Sequence, residues 1–208
     1  MEKTLDILIE RFGYDAPILA CDLEETFPDV PRRTIYSRLN RLIESGAIER
    51  YETGVYYIAS TTILGKTPLN PLKVIERKYL RDPEGGVCGF WSGATLDNSE
   101  GISEQVPMRY EVVTNNASCA QREVTVGGYV KCVVHKSRVD VDRDNVDSLR
   151  FLDVLTRRKP KELTDGQRDA VKRLAEGLSK DDLLALSMAY PQKTTRRLVE
   201  SEMLGVFA

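Results

Sequence analysis

The stretch from Pro31 to Gly46, PRRTIYSRLNRLIESG, constrains the fold more than any other part of the chain. Its apolar residues Ile35, Leu39, Leu42 and Ile43 recur at i, i+4, i+7 and i+8, the spacing of one helix face. At about 100° per residue, Arg33, Ser37, Asn40, Arg41 and Glu44 then fall on the opposite side. Thr34 and Arg38 lie on one flank and Tyr36 on the other, while Arg32 projects nearer the apolar stripe. Pro31, with its fixed φ, suits a first helical turn. Gly46 suits the position past the last turn, where a positive φ ends a helix. The pattern predicts a helix with one greasy side and one wet side that carries arginines.

The flanking segments set this helix in a definite order. EKTLDILIERF places Leu5, Leu8, Ile9 and Phe12 on one stripe, and Gly13 and Pro17 punctuate its end. ILACDLEETF offers Ile18, Leu19, Leu23 and Phe27 as the buried positions of a short second helix, and PDVP turns the chain into the third. After Gly46, AIERY and VYYIA are two β-prone runs around a Gly-containing turn, the pattern of a hairpin. Three helices followed by a hairpin predict a winged helix-turn-helix over residues 1–61. In that arrangement the third helix enters a major groove and the hairpin reaches the neighbouring backbone.

Charge sharpens the expectation. The chain has a formal net charge of -2, so general adhesion to polyanions is not indicated. Yet residues 30–43 hold Arg32, Arg33, Arg38 and Arg41 without an acid. Arginine donates bidentately to guanine, asparagine pairs with adenine, and hydroxyls reach bases or phosphates. Arginine contacts to phosphate supply affinity and register. The residues expected to touch double-stranded DNA are Arg32, Arg33, Thr34, Ser37, Asn40 and Arg41, with Arg50 and Thr53 on the hairpin. The alternatives are a solvated face paired with acids of the second helix, or a protein-interaction module on the same fold.

The linker STTILGKTPLNPLK, with Gly65, Pro68 and Pro71, places a domain boundary near residue 62. A second domain over 62–208 is expected to be mixed α/β across 72–157 and helical across 163–208, which makes the whole chain α+β. PLKVIERKYL can open it as a short helix, and the close glycines of GGVCGFWSG suggest tight packing against backbone. MRYEVVTN reads as a strand, and REVTVGGYVKCVVHK as two strands joined at Gly127-Gly128. RDNVDSLRFLDVLTRRKP predicts a helix with Asp144 as N-cap and Val146, Leu149, Leu152 and Leu155 on one side. Thr164 with Gln167, and Ser179 with Asp182, open two further helices. Lys172, Arg173, Lys193, Arg196 and Arg197 form a basic group, read as a second anionic contact, a partner contact or a solvated face.

Chemistry is thin. His135 is the only histidine and reads as structural; Cys21, Cys88, Cys119 and Cys132 are scattered and read as reduced thiols. In DVDRDN, Asn145 replaces the glycine a calcium loop requires, and Phe151 stands where its bidentate glutamate belongs. GGVCGFWSG lacks the Gly-Lys-Ser/Thr ending of a phosphate loop. We expect no catalytic residues, no metal and no cofactor. The apolar runs are too short for a bilayer and the N-terminal segment lacks the marks of a secretory signal, so a cytoplasmic protein is expected.

The N-terminal pattern together with NPLKVIERKYL, GFWSGATLDNSEGISEQVP, YEVVTN, REVTVGGYVK, NVDSLRFLDVL and YPQKTTRRLV resembles the AbiEi-like family of bacterial antitoxins. Gly101 to Pro107, with Gln105-Val106-Pro107, carries the most recognisable part. The sequence departs from the family where Asp97, Asn98, Ser99 and Glu100 replace more apolar residues. The resemblance implies a winged helix that binds the operator of its own operon as an autorepressor. It also implies a C-terminal domain that neutralises a co-encoded nucleotidyltransferase-like toxin. Such type IV systems usually work by opposing the toxin's effect without a tight complex.

Overall fold

A computed structural model describes residues 2–206. The fold is mixed α+β and divides into two compact units. The first comprises residues up to Lys78 together with 126–129, and the second comprises 79–125 with the residues from 130 onward. The first unit therefore runs on past the boundary read near residue 62.

In the first unit, α1 (Glu2–Phe12), α2 (Ala20–Thr26) and α3 (Arg32–Glu44) pack around Leu8, Ile18, Leu23, Ile35, Leu39, Leu42, Ile48, Tyr56 and Ile58. The strands β1 (Ile18–Leu19), β2 (Glu49–Glu52) and β3 (Val55–Tyr57) form an antiparallel sheet in the order β1-β3-β2. Ile18 and Leu19, expected in the second helix, instead pair with Tyr56 and Val55. Pairing across the chain outweighs the local helical spacing, and the helix begins two residues later, at Ala20. The Asp22 carboxylate accepts the Leu19 N–H at 2.7 Å and ties the two elements together. β2 and β3 shift register between Arg50 and Glu52, which leaves Tyr51 as a bulge.

The segment read as a linker is also ordered by pairing. β4 (Thr61–Thr62) and β5 (Gly65–Lys66) make a second hairpin, with Thr61 opposite Lys66 and Thr62 opposite Gly65. Its base is tied at Ser60, whose N–H and hydroxyl both donate to Asp15, at 3.0 and 2.5 Å. Asp15 occupies the left-handed region at φ 55, where a short polar side chain is tolerated. α4 (Pro71–Ile75) follows, with Asn70 accepting from the Leu72 N–H, and continues as one π-helical turn to Leu80. Leu69, Val74 and Ile75 are buried, and Arg77 pairs with the buried Asp22. The Arg77–Asp22 and Lys78–Glu52 ion pairs, with Lys73 donating to the Asp15 carbonyl at 3.0 Å, tie PLKVIERKYL up to Lys78 to the first unit.

The second unit is built on a four-stranded sheet in the order β6-β7-β9-β8, from β6 (Gly89–Trp91), β7 (Tyr110–Thr114), β8 (Gln121–Val126) and β9 (Val130–Lys136). β7 runs antiparallel to β6 and parallel to β9. Gly89 shows why the glycine-rich stretch needs glycine: a Cβ there would overlap the Tyr79 carbonyl and lie 2.6 Å from that of Val113. α5 (Gly93–Ser99), α6 (Val146–Arg157), α7 (Asp165–Ala175), α8 (Lys180–Ser187) and α9 (Gln192–Met203) complete it.

α6 is buried on more than the expected side: Phe151 and Val154 join Leu149, Leu152 and Leu155. One core joins this helix to Leu96, Ile102, Val171, Leu183 and Leu198, so the C-terminal helices belong to the same body as the mixed region. The helix starts at Val146 with Asn145, not Asp144, as its cap residue, because Asp142 accepts the Asp144 and Asn145 N–H groups at 2.9 Å each and turns the chain first. Among the described residues no helix is long and apolar enough to cross a membrane.

Candidate nucleic-acid interface

α3 separates its two faces as its period requires. Ile35, Leu39 and Leu42 are buried in the unit's core, and Ile43 is half-buried against it. The chain leaves the helix through Gly46 at φ 71, whose N–H donates to the Ile43 carbonyl at 2.9 Å. Arg33, Thr34, Ser37, Arg38, Asn40, Arg41 and Glu44 are exposed. Arg33, Tyr36, Ser37, Asn40, Arg41 and Glu44 line one shallow, open depression on that face.

The guanidinium groups differ in how they are held. Arg32 pairs with Glu24 of α2 at 2.9 Å and lies over the Tyr36 ring, 5.6 Å from its centroid. The hydrogen bond to Tyr36 and then the Glu24 charge push its pKa further above the usual arginine value. The reading of arginines paired to acids of the second helix thus holds at Arg32. Among the described residues, Arg33, Arg38 and Arg41 form no ion pair, and the side chains of Ser37 and Asn40 form no hydrogen bond. Their donors face water. The row from Arg33 to Arg41 spans about 12 Å along the axis, comparable to the ~12 Å width of a B-DNA major groove.

The first hairpin contributes less. Arg50 is exposed and donates to Thr53 Oγ1 at a long 3.4 Å. The neighbouring Glu52 is held by Lys78 and accepts the Gly127 N–H at 2.9 Å. The second hairpin was not recognised from sequence, yet it stands beside α3. Lys66 Nζ donates to the Gly46 carbonyl and to Glu49 Oε1, both at 2.5 Å. At its tip Ile63 and Leu64 are fully exposed. The signal was the β-prone Thr61-Thr62-Ile63 run before Gly65, too brief to read without its partner strand.

In the second unit the basic group does not act as one. Lys172 and Arg173 on α7, and Lys193 and Arg196 on α9, are exposed and form no ion pair among the described residues. Arg197 is corrected from a contact candidate to a structural donor. Its guanidinium serves the Leu155 and Thr156 carbonyls, at 2.9 and 2.8 Å, where α6 ends.

A cleft of about 330 Å³ also lies in this unit, lined by Ser92, Glu111, His135, Arg138, Asp153, Arg157 and Tyr190 among others. Its polar groups are largely bound to one another. Ser92 donates to Asp153 at 2.9 Å, Arg157 bridges Asp153 and Asp97, and His135 lies 3.5 Å from Glu111. The hydrogen bond from His135 lowers the Glu111 pKa below the usual glutamate value. Burial pushes the Tyr190 hydroxyl well above its ordinary value. The arrangement reads as a structural network.

No family model matches the chain, and no curated protein matches it.

Proposed function

We propose that this protein is a non-enzymatic, sequence-specific DNA-binding regulator whose first unit is a winged helix-turn-helix and whose α3 enters the major groove. The observation that carries this reading is the exposed row Arg33, Ser37, Asn40 and Arg41, with free donors in front and the unit's core behind. Two guanidinium groups at its ends suit phosphate or guanine, and the amide and hydroxyl between them suit base edges. The β1-β3-β2 sheet and the order of helices support the winged arrangement.

The resemblance to AbiEi-like antitoxins extends the proposal. The duplex is then the operator of the protein's own operon, and the functional partner is a nucleotidyltransferase-like toxin whose effect the second unit opposes. Val199 and Met203, exposed one turn apart on α9 beside exposed Arg196, favour a second reading of that unit as a protein-docking module.

The test is binding of the full chain to a duplex from immediately upstream of its coding sequence, measured by fluorescence anisotropy against an unrelated duplex. Arg33→Ala and Arg41→Ala should each weaken binding and lower the salt slope by roughly 0.9 for each lost phosphate contact. Equal binding by wild type, single variants and double variant would remove α3 from the interface. Co-expression with the adjacent reading frame tests the antitoxin part: growth must be restored only when this chain is present.

A further inference from the structure

Ile63 and Leu64 are 102% and 94% exposed, and they are the only large aliphatic side chains standing free among the described residues of the first unit. Scattered surface apolar residues need no explanation. These two differ because the backbone under them is pinned. Thr62 pairs with Gly65, its hydroxyl donates to the Gly65 carbonyl at 3.0 Å and accepts the Leu64 N–H at 3.2 Å. Below, Thr67 N–H donates to the Ser60 carbonyl at 2.9 Å, the Ser60 and Thr67 hydroxyls bond each other, and Asp15 holds Ser60. Lys66 fastens the same hairpin to Gly46, immediately after α3. An Ile-Leu pair is thus held out on a short, ordered stalk next to the helix that bears the unpaired arginines.

Resting on the DNA-binding reading above, we propose that the β4–β5 hairpin is a wedge whose tip, Ile63 and Leu64, inserts into the minor groove flanking the major-groove segment occupied by α3. The stretch Thr61–Lys66 carries no acid, so it meets no repulsion from the phosphates. Lys66 pairs with Glu49 of β2 and offsets its charge. From its base at Ser60 to its tip the hairpin reaches about 10 Å at ~3.3 Å per residue, against a minor-groove depth of about 7.5 Å. Aliphatic wedges of this kind unstack one base step and bend the duplex, and the bend brings more protein surface onto it.

The experiment compares the full wild-type chain with the double variant Ile63→Ala, Leu64→Ala. The probe is the upstream duplex labelled at both ends for energy transfer. Both side chains are exposed, so the variant keeps its fold, and circular dichroism checks this. The expected result is a Kd raised roughly tenfold or more together with loss of the protein-induced bend, at an unchanged salt slope because no phosphate contact is removed. An unchanged Kd and bend overturn the wedge. So does a variant that loses only self-association by sedimentation, which makes the tip a contact between two copies. Loss of binding in Arg33→Ala and Arg41→Ala with no effect of the tip variant sinks the wedge alone, whereas no duplex binding by the wild type sinks both proposals.

Discussion

Replacing Asp97 by alanine should destabilise the second unit far more than replacing either arginine that holds it. Asp97 is 2% exposed and lies near the end of α5. It accepts from Arg157 Nη1 at 2.9 Å, and from Arg158 Nε and Nη2 at 3.1 and 2.7 Å. Removing one partner of a fully buried ion pair costs about 3–5 kcal/mol. Here the Arg157 and Arg158 side chains are 28% and 36% exposed, and Arg157 keeps Asp153 at 3.1 Å. Water and Asp153 therefore take over part of the loss, and we expect about 2–3 kcal/mol for Asp97→Ala. Arg158→Ala leaves the carboxylate its Arg157 partner and should cost about 1 kcal/mol. Trp91, the single tryptophan, sits in β6 of the same unit, so urea unfolding followed by its emission reads this unit. A cost below about 1 kcal/mol for Asp97→Ala, or an equal cost for Arg158→Ala, would refute the view that the buried carboxylate organises this corner.

Arg197→Ala removes the donors that satisfy the Leu155 and Thr156 carbonyls, and should cost about 1–2 kcal/mol, with Arg197→Lys recovering part in the same urea assay. Gly89→Ala drives a Cβ into two backbone carbonyls that cannot move aside, so a loss of about 3 kcal/mol or more, or failure to fold, is expected on thermal melting. Glu111 has a lowered folded-state pKa, chiefly through the His135 hydrogen bond, so its contribution is full above the usual glutamate value and fades as pH falls through the lower folded value. Wild type should lose stability on acidification through that window more steeply than Glu111→Gln, and parallel pH profiles for the two would contradict it.

How much was legible in the sequence depends on the range over which each residue finds its partner. The period of Ile35, Leu39 and Leu42 spans three turns of one helix, so it sorted core from surface correctly, and Arg33, Ser37, Asn40 and Arg41 emerged on the open side. Ile18 and Leu19 are only two residues, and their strand exists because Val55 and Tyr56 lie across from them. The hairpin at 61–66 looked like a linker for the same reason: Asp15, 45 residues before Ser60, anchors it. Asp97 stood out as a polar departure from the pattern of the family that the sequence resembles. The two arginines that make it tolerable come 60 and 61 residues later. Arg197 looked like one of five similar cations until the end of α6 was placed beneath it.

By itself the amino-acid order determined which segments bend into helices, where glycine and proline stop them, and which faces are wet. Those properties arise from neighbours within a turn or two. Tertiary structure alone decided which charges are already matched and which remain free: Arg32 went to Glu24, Arg77 to Asp22 and Arg158 to Asp97, while Arg33 and Arg41 were left facing water. Ion pairing depends on distances of a few ångströms between distant parts of the chain, and only the folded backbone sets those distances.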